Sequence, residues 1–385
     1  MDEASISDIL TELEGSAEDG TPVGASDAEG DAQPRTRRSS SSSKTGHGRR
    51  RRRSKRSSRQ RLLRNWLIVL GVLVLMLGTA YALLMVAFNG IDRISIEQDP
   101  TLKRPAVVKV AAGEREPINI LLLGSDSREP ADTDDAGEQQ RGFRTDAILV
   151  AQLSPDREHL TIMSIMRDNW VEVQGVGEAK INAAAAHGGL ALTVNTVENF
   201  IDARIDHVAL IGFDAFEGLT NAVGGVTVHN DIAYTAQNGG GDFTFKEGEI
   251  TLNGEQALSF VRERYAFSDG DYQRVRNQQK YLKALMGELM SGETLGNAGK
   301  ITGTFQAIRP YLTLSDSLNL QSAVSLGFDS RGLRQGGIKM FTSPTLGTAT
   351  SADGQSIVQP DWKELEGVRA AFRDGTVHDY AASLD

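Results

Sequence analysis

Cysteine is missing from all 385 residues, which excludes a disulfide framework and any thiolate metal site. Several catalytic signatures are missing too. There is no Walker P-loop, no G-x-G-x-x-G opening a helix, and no G-x-S-x-G elbow around Ser125, which follows Gly124 as a turn serine. His159, His187, His207, His229 and His378 show no H-E-x-x-H or other close ligand spacing, which argues against zinc hydrolysis. Acidic residues are absent from 32 to 65, where 14 Lys/Arg stand, whereas residues 89 to 385 hold 27 basic against 41 acidic side chains. The formal net charge of −10 therefore joins a basic arm to an acidic main domain, and no nucleic acid is expected as partner of the latter.

Long hydrophobic runs are nearly absent as well, with one exception. Trp66 to Phe88 is 23 residues without a charge, enough at ~1.5 Å per helical residue to cross the ~30 Å hydrocarbon core. It is longer than the ~7–15 residues of a signal-peptide core and lacks a small-residue cleavage pattern. All nearby positive charge precedes it, so the segment is expected to span the cell membrane once, with residues 1–65 cytoplasmic and the rest outside. Within the tail, Met1 to Asp31 is acidic and poor in aromatics and is expected to be disordered. The Ser/Arg tract with Arg49 to Arg53 unbroken reads as an orientation signal that also meets anionic lipid. Residues 89–116 read as a polar stalk, and 117–385 as the globular domain.

That domain is organised around Pro117-Ile-Asn-Ile-Leu-Leu-Leu-Gly-Ser-Asp-Ser-Arg128. So short an apolar run, stopped by glycine, predicts a buried strand of an α/β sheet whose chemistry lies beyond its carboxyl end. Strands are also predicted at 146–153, 159–166, 207–212, 226–229 and 338–342, and helices at 190–201, 214–223, 254–260 and 271–290. An Ala-rich helical turn at 180–189 is stopped by Gly188 and Gly189. The pattern predicts an α/β fold: an interleaved α-β-α layered domain with a central mixed sheet, preceded by the disordered tail and one transmembrane helix.

Two groups of residues stand out. Asp126 and Asp146 each adjoin a strand end, as carboxylates that bind a hard cation such as Mg²⁺ would, or as turn aspartates do. Arg144, Arg167, Lys180, Arg262, Arg264 and Arg274 also follow strand or helix ends; repeated guanidinium forks suit a polyphosphate, although any one arginine suits a solvated face equally well. An extended Phe260 to Tyr265 would aim Arg262 and Arg264 to one side, with Glu263 as an alternative partner. Gln278 falls in the apolar stripe Val275, Leu282, Leu285, Leu289, four residues after Arg274, and so either satisfies buried backbone or faces a polar ligand.

Ile120 to Arg128, Arg144-Thr-Asp146, Ser164-Ile-Met-Arg-Asp168, Lys180-Ile-Asn-Ala-Ala184, Val223-Gly-Gly-Val226, Leu252 to Leu258, Val261-Arg-Glu-Arg264 and Gly270-Asp-Tyr-Gln-Arg274 with Gln278 resemble, in order, the motifs of LytR–CpsA–Psr proteins. The resemblance implies a Gram-positive envelope enzyme. It would move a glycopolymer from a polyprenyl-pyrophosphate carrier to peptidoglycan, forming a phosphodiester. On it, Asp126 and Asp146 would hold Mg²⁺ at the pyrophosphate. Arg144, Asp146, Arg167 and Arg264 would be catalytic, and Lys180, Arg262, Arg264, Arg274 and Gln278 would grip the pyrophosphate. The prenyl tail would lie between sheet and helices, against the Ala-rich turn and the long helix. Met166, Ala186-His187 and Tyr272-Gln273 depart from the family pattern without removing a charged group. Release of the glycan phosphate to water, or carrier binding without turnover, are the alternative activities.

Overall fold

The computed structural model describes residues 85, 88–95, 100–107, 113–125, 145–237, 243–292 and 296–384. The expected tail, most of the expected transmembrane run, and Asp126, Arg128 and Arg144 lie outside them. Among the described residues no helix is long and apolar enough to cross a membrane.

The central sheet has seven strands: β1 (Asp92–Ile94), β2 (Ile118–Ser125), β3 (Thr145–Leu153), β4 (Leu160–Ile165), β5 (His207–Gly212), β6 (Leu312–Ser315) and β7 (Ile338–Thr342). Their order is β1-β6-β5-β2-β3-β4-β7. β1 and β6, β5 and β2, and β4 and β7 run parallel; the other neighbours are antiparallel. The sheet is mixed, as the pattern of elements predicts.

Side-chain alternation divides the two faces. Leu121, Leu123, Ile148 and Val150 point to one face and are sealed beneath α1 (Ala183–Ile201), which contributes Leu190, Val194 and Val197. Leu122, Gly124, Ala147 and Leu149 point to the other, toward α2 (Phe213–Ala222), α3 (Gly254–Arg262) and α4 (Asp271–Leu289). This is the expected α-β-α layering. Gly188 and Gly189 break α1 with non-helical backbone, and Gly189 holds φ at 62°, which only glycine adopts easily.

Two boundaries differ from the sequence reading. The stretch read as a stalk supplies β1, which pairs with β6 at Asp92↔Thr313; three residues are too few to show a period of two. Further along, Arg104 Nε donates to Glu198 Oε2 at 2.6 Å, and Asn195 Nδ2 donates to the Lys103 carbonyl at 2.8 Å. A hairpin, Trp170–Val173 with Gly177–Lys180, joins β4 to α1 where no strand is evident from the sequence.

Candidate active site

The strands converge at one end of the sheet. β2 and β5 run parallel and finish at Ser125 and Gly212. β3 is antiparallel to β2 and so begins there, with Thr145 opposite Ser125; β4 delivers Arg167 and Asp168 two and three residues past its last pair, Ile148↔Ile165. Asp146 and Arg167 thereby meet, Nη1 donating to Oδ1 at 2.6 Å.

From this pair a chain of charges runs outward. Arg167 Nε lies 3.8 Å from both Asp168 and Asp271. Lys180 Nζ, at the end of the hairpin, lies 3.2 Å from Asp168. Asp271, in the first turn of α4, accepts from Arg274 Nη2 at 3.1 Å and stands 3.8 Å from Arg264 Nη1. Arg167, Lys180, Arg264 and Arg274 thus share Asp146, Asp168 and Asp271. The Nε atoms of Arg167 and Arg274 are buried with no hydrogen-bond partner, and the amino end of α4 adds its own preference for anions. Burial works to pull the Arg264 guanidinium down, but the Tyr265 hydroxyl, Asp271 and Asp168 together hold it above its ordinary value. Burial pulls Arg274 below its ordinary value despite Asp271, yet an arginine keeps its proton at any working pH.

Behind the charges lies a cavity of about 160 Å³ between sheet and helices. Leu122, Leu149, Phe213, Phe216, Leu219, Leu282 and Leu285 give it an apolar lining, and Asp146, Arg262 and Gln278 are its charged and amide residues. Tyr281 closes one wall, with its hydroxyl 2.6 Å from Thr220 Oγ1; burial pushes that phenol up to about 12. Such a space suits a long apolar chain whose charged head stays at the mouth.

The expected residues are placed unequally. Asp146, Arg167, Lys180, Arg264 and Arg274 come together in one ion-pair chain. Gln278 donates to the Val261 carbonyl at 3.2 Å, the backbone role offered for it, and also lines the cavity. Arg262 and Arg264 do not follow from an extended backbone. Arg262 is the last residue of α3 and stacks its guanidinium 4.4 Å over the Phe213 ring; Arg264 lies past the helix end. Glu263, fully buried, pairs with neither. Its carboxylate accepts the backbone N–H groups of Gln237, Arg264 and Ala266 at 2.6, 2.9 and 3.0 Å. The Ala-rich turn does not line the cavity either, because Ala184 packs on the opposite face with Leu121 and Leu123. Asp168 and Asp271 are the site residues that spacing alone did not single out. Their signal was position, one beyond a strand end and one opening a helix.

For a divalent cation the donor chemistry fits. Mg²⁺ takes one or two carboxylates with waters and phosphate oxygens, and Asp146 offers a carboxylate in the cavity lining. Asp126 is outside the described residues, among which no group of three or more ligating side chains is gathered.

The model of the LytR_cpsA_psr family matches residues 86–373. The chain belongs to that family. Two relatives agree with the assignment. The polyisoprenyl-teichoic acid–peptidoglycan teichoic acid transferase TagU of Enterococcus faecalis is 32% identical over 276 residues, 71% of this chain and 84% of the relative. TagU of Bacillus subtilis is 28% identical over 326 residues, 83% and 97% of the two chains. Among solved structures, the crystal structure of B. subtilis TagV superposes with a TM-score of 0.57 at 27% identity, covering 68% of this chain and 98% of that one. Met166 and Tyr272 sit in one small cluster with Val275 and Val358.

Proposed function

We propose that this chain is a membrane-anchored transferase that moves a teichoic-acid-type glycopolymer from a polyprenyl-pyrophosphate carrier to peptidoglycan. The observation that carries the proposal is the two-part site, an apolar cavity whose lining includes Asp146, itself bound to Arg167 of the ion-pair chain. A ligand that is hydrocarbon at one end and pyrophosphate at the other matches both parts. The names of the relatives supply the donor and acceptor classes.

The prenyl chain is seated against Leu122, Leu282 and Leu285, and its pyrophosphate meets Arg167, Lys180, Arg262, Arg264 and Arg274. A peptidoglycan hydroxyl attacks the phosphorus that carries the glycan. The new O–P bond forms as the bridging P–O bond breaks; prenyl phosphate leaves with the electron pair and takes up the proton that the hydroxyl gives up. Arginines held at fixed places neutralise the charge on that leaving group, as expected for chemistry that depends on positioning and electrostatics. Asp146 holds the Arg167 fork toward the mouth, and Asp271 does the same for Arg274. Mg²⁺, held by Asp146 with Asp126, would supply further charge neutralisation on the pyrophosphate oxygens. Gln278 offers a neutral amide where the lining turns from apolar to charged. The membrane anchor at 66–88, with residues 1–65 inside, keeps the site beside a carrier that never leaves the bilayer.

The test is to supply the full chain in vesicles with a polyprenyl-pyrophosphate-linked sugar, peptidoglycan fragments and Mg²⁺. A phosphodiester-linked product is expected, falling about 10²–10³-fold in Arg167→Ala, by analogy with loss of one charge-stabilising donor. Free sugar phosphate as the only product would replace transfer with hydrolysis, and tight binding without turnover would remove the enzyme reading.

A further inference from the structure

The chain enters the domain without slack. Met85 and Phe88, at the end of the apolar run, pack on a cluster of Ile91, Ala209, Leu314 and Leu320. Arg93, in β1, lays its guanidinium 4.8 Å over the Phe88 ring and donates to the Leu318 carbonyl at 2.7 Å. On the anchored reading, the apolar run therefore ends against the fold.

Two helices share that cluster, α5 (Ala298–Ile308) through Phe305 and α6 (Leu320–Asp329) through Leu320 and Ala323. Both also turn apolar side chains to solvent. Ile301 is 46% exposed, Val324 50% and Phe328 66%, with Tyr311 between the helices at 39%. Val324 and Phe328 stand four apart and form one stripe. The charge here also reverses. Residues 298–334 carry Lys300, Arg309, Arg331 and Arg334 against Asp316 and Asp329, in a domain with a large acidic excess. Arg331 lies 4.4 Å over the Phe328 ring. Exposed aromatic and aliphatic side chains with an arginine stacked on one of them match the interface of an anionic bilayer.

We propose that α5, α6 and Tyr311 form the face on which the domain rests on the membrane, with Val324 and Phe328 in the headgroup layer. The inference deepens the anchored-transferase reading and depends on it. It also joins the two halves of the site. Leu122 belongs both to the cluster that receives Phe88 and to the cavity lining, and Gly218 of the cavity-wall helix α2 packs so close to α5 that a Cβ there would meet the Ala307 carbonyl at 3.2 Å. The lipid-facing side and the cavity share a wall, which brings a prenyl tail from bilayer to site by a short path.

The lack of cysteine allows a direct test. Val324→Cys, Phe328→Cys and, as reference, Leu346→Cys each give the full chain one thiol for a polarity-sensitive fluorophore. Leu346 is 69% exposed and follows β7, at the sheet edge opposite β1. Each labelled protein is reconstituted in phosphatidylglycerol–phosphatidylcholine vesicles containing doxyl-labelled lipid. Labels at 324 and 328 are expected to be blue-shifted and quenched several-fold more than the label at 346. Equal quenching at all three positions in inserted protein would overturn the proposed face alone; failure of the full chain to insert would overturn the anchor reading on which it rests. Phe328→Asp supplies a second readout, an expected loss of transfer from vesicle-borne carrier that is restored with detergent-dispersed carrier. Equal activity on both would count against the face.

Discussion

The two faces of β2 and β3 are made by alternate residues of the same strands, and they meet opposite fates. Leu121, Ile148 and Val150 are almost wholly buried in a filled core. Leu122, Ala147 and Leu149, one residue away, line a space that side chains leave open. A protein interior ordinarily closes such a space, because an unfilled apolar volume costs dispersion energy. Here the lining of the open face includes Asp146, a member of the ion-pair chain. The difference separates the residues that hold the fold from those that hold a ligand, and substitutions on the two faces should give opposite signatures.

On the filled face, Leu121→Ala should cost about 2–5 kcal/mol, seen as a lower denaturation midpoint, with transfer per folded molecule unchanged. On the open face, Leu282→Trp should occupy the cavity. Its expected effect is a raised KM for a long prenyl donor, a smaller change for a short one, and a melting curve close to the parent's. If Leu282→Trp instead destabilised like Leu121→Ala, the two faces would be equivalent. Gln278→Leu sharpens the comparison at the boundary. Loss of the bond to the Val261 carbonyl should change stability by only about 0.5–1.5 kcal/mol, while turnover falls with a normal melting curve.

The smallest effect is expected from pH. Burial holds the His207 imidazole below its ordinary 6.5, and burial lowers His378 too, with His159 and Lys339 adding to it. A histidine whose folded pKa is depressed binds fewer protons in the folded state than in the unfolded chain. Its contribution is therefore present above the ordinary value and lost as pH falls through the folded one. Thermal scans should show stability declining as pH drops below about 6.5, and His207→Gln should flatten part of that slope. Asp206, raised chiefly by burial, acts in the opposite sense at lower pH.

Much of this division was legible in the sequence because it rests on local period and punctuation. The run Ile120 to Leu123 stopped at Gly124, the strand at 207–212 and the stripe containing Gln278 all appear where the pattern puts them. What was hidden depends on distant partners. β1 is three residues long and pairs more than 200 positions away, at Asp92↔Thr313. The direction of Arg262 was hidden because α3 runs on to that residue, and beyond its end Glu263 gathers the backbone N–H of the remote Gln237 along with those of Arg264 and Ala266. The Ala-rich turn was assigned to the wrong face because small residues pack equally well on either. Asp271 looked like an ordinary helix-opening aspartate, and only the approach of Arg167 and Arg264 makes it a junction.

The central claim is that the open face receives the prenyl chain while the arginines hold its pyrophosphate. A prenyl pyrophosphate carrying a photoreactive group near the end of its chain tests it directly. After irradiation of the full protein in vesicles and peptide mapping, the label should fall on α2 and α4, near Phe216, Leu282 and Leu285, and inorganic pyrophosphate in excess should reduce it. Label on α1 or α7 (Trp362–Asp374), the helices of the filled face, would contradict the account.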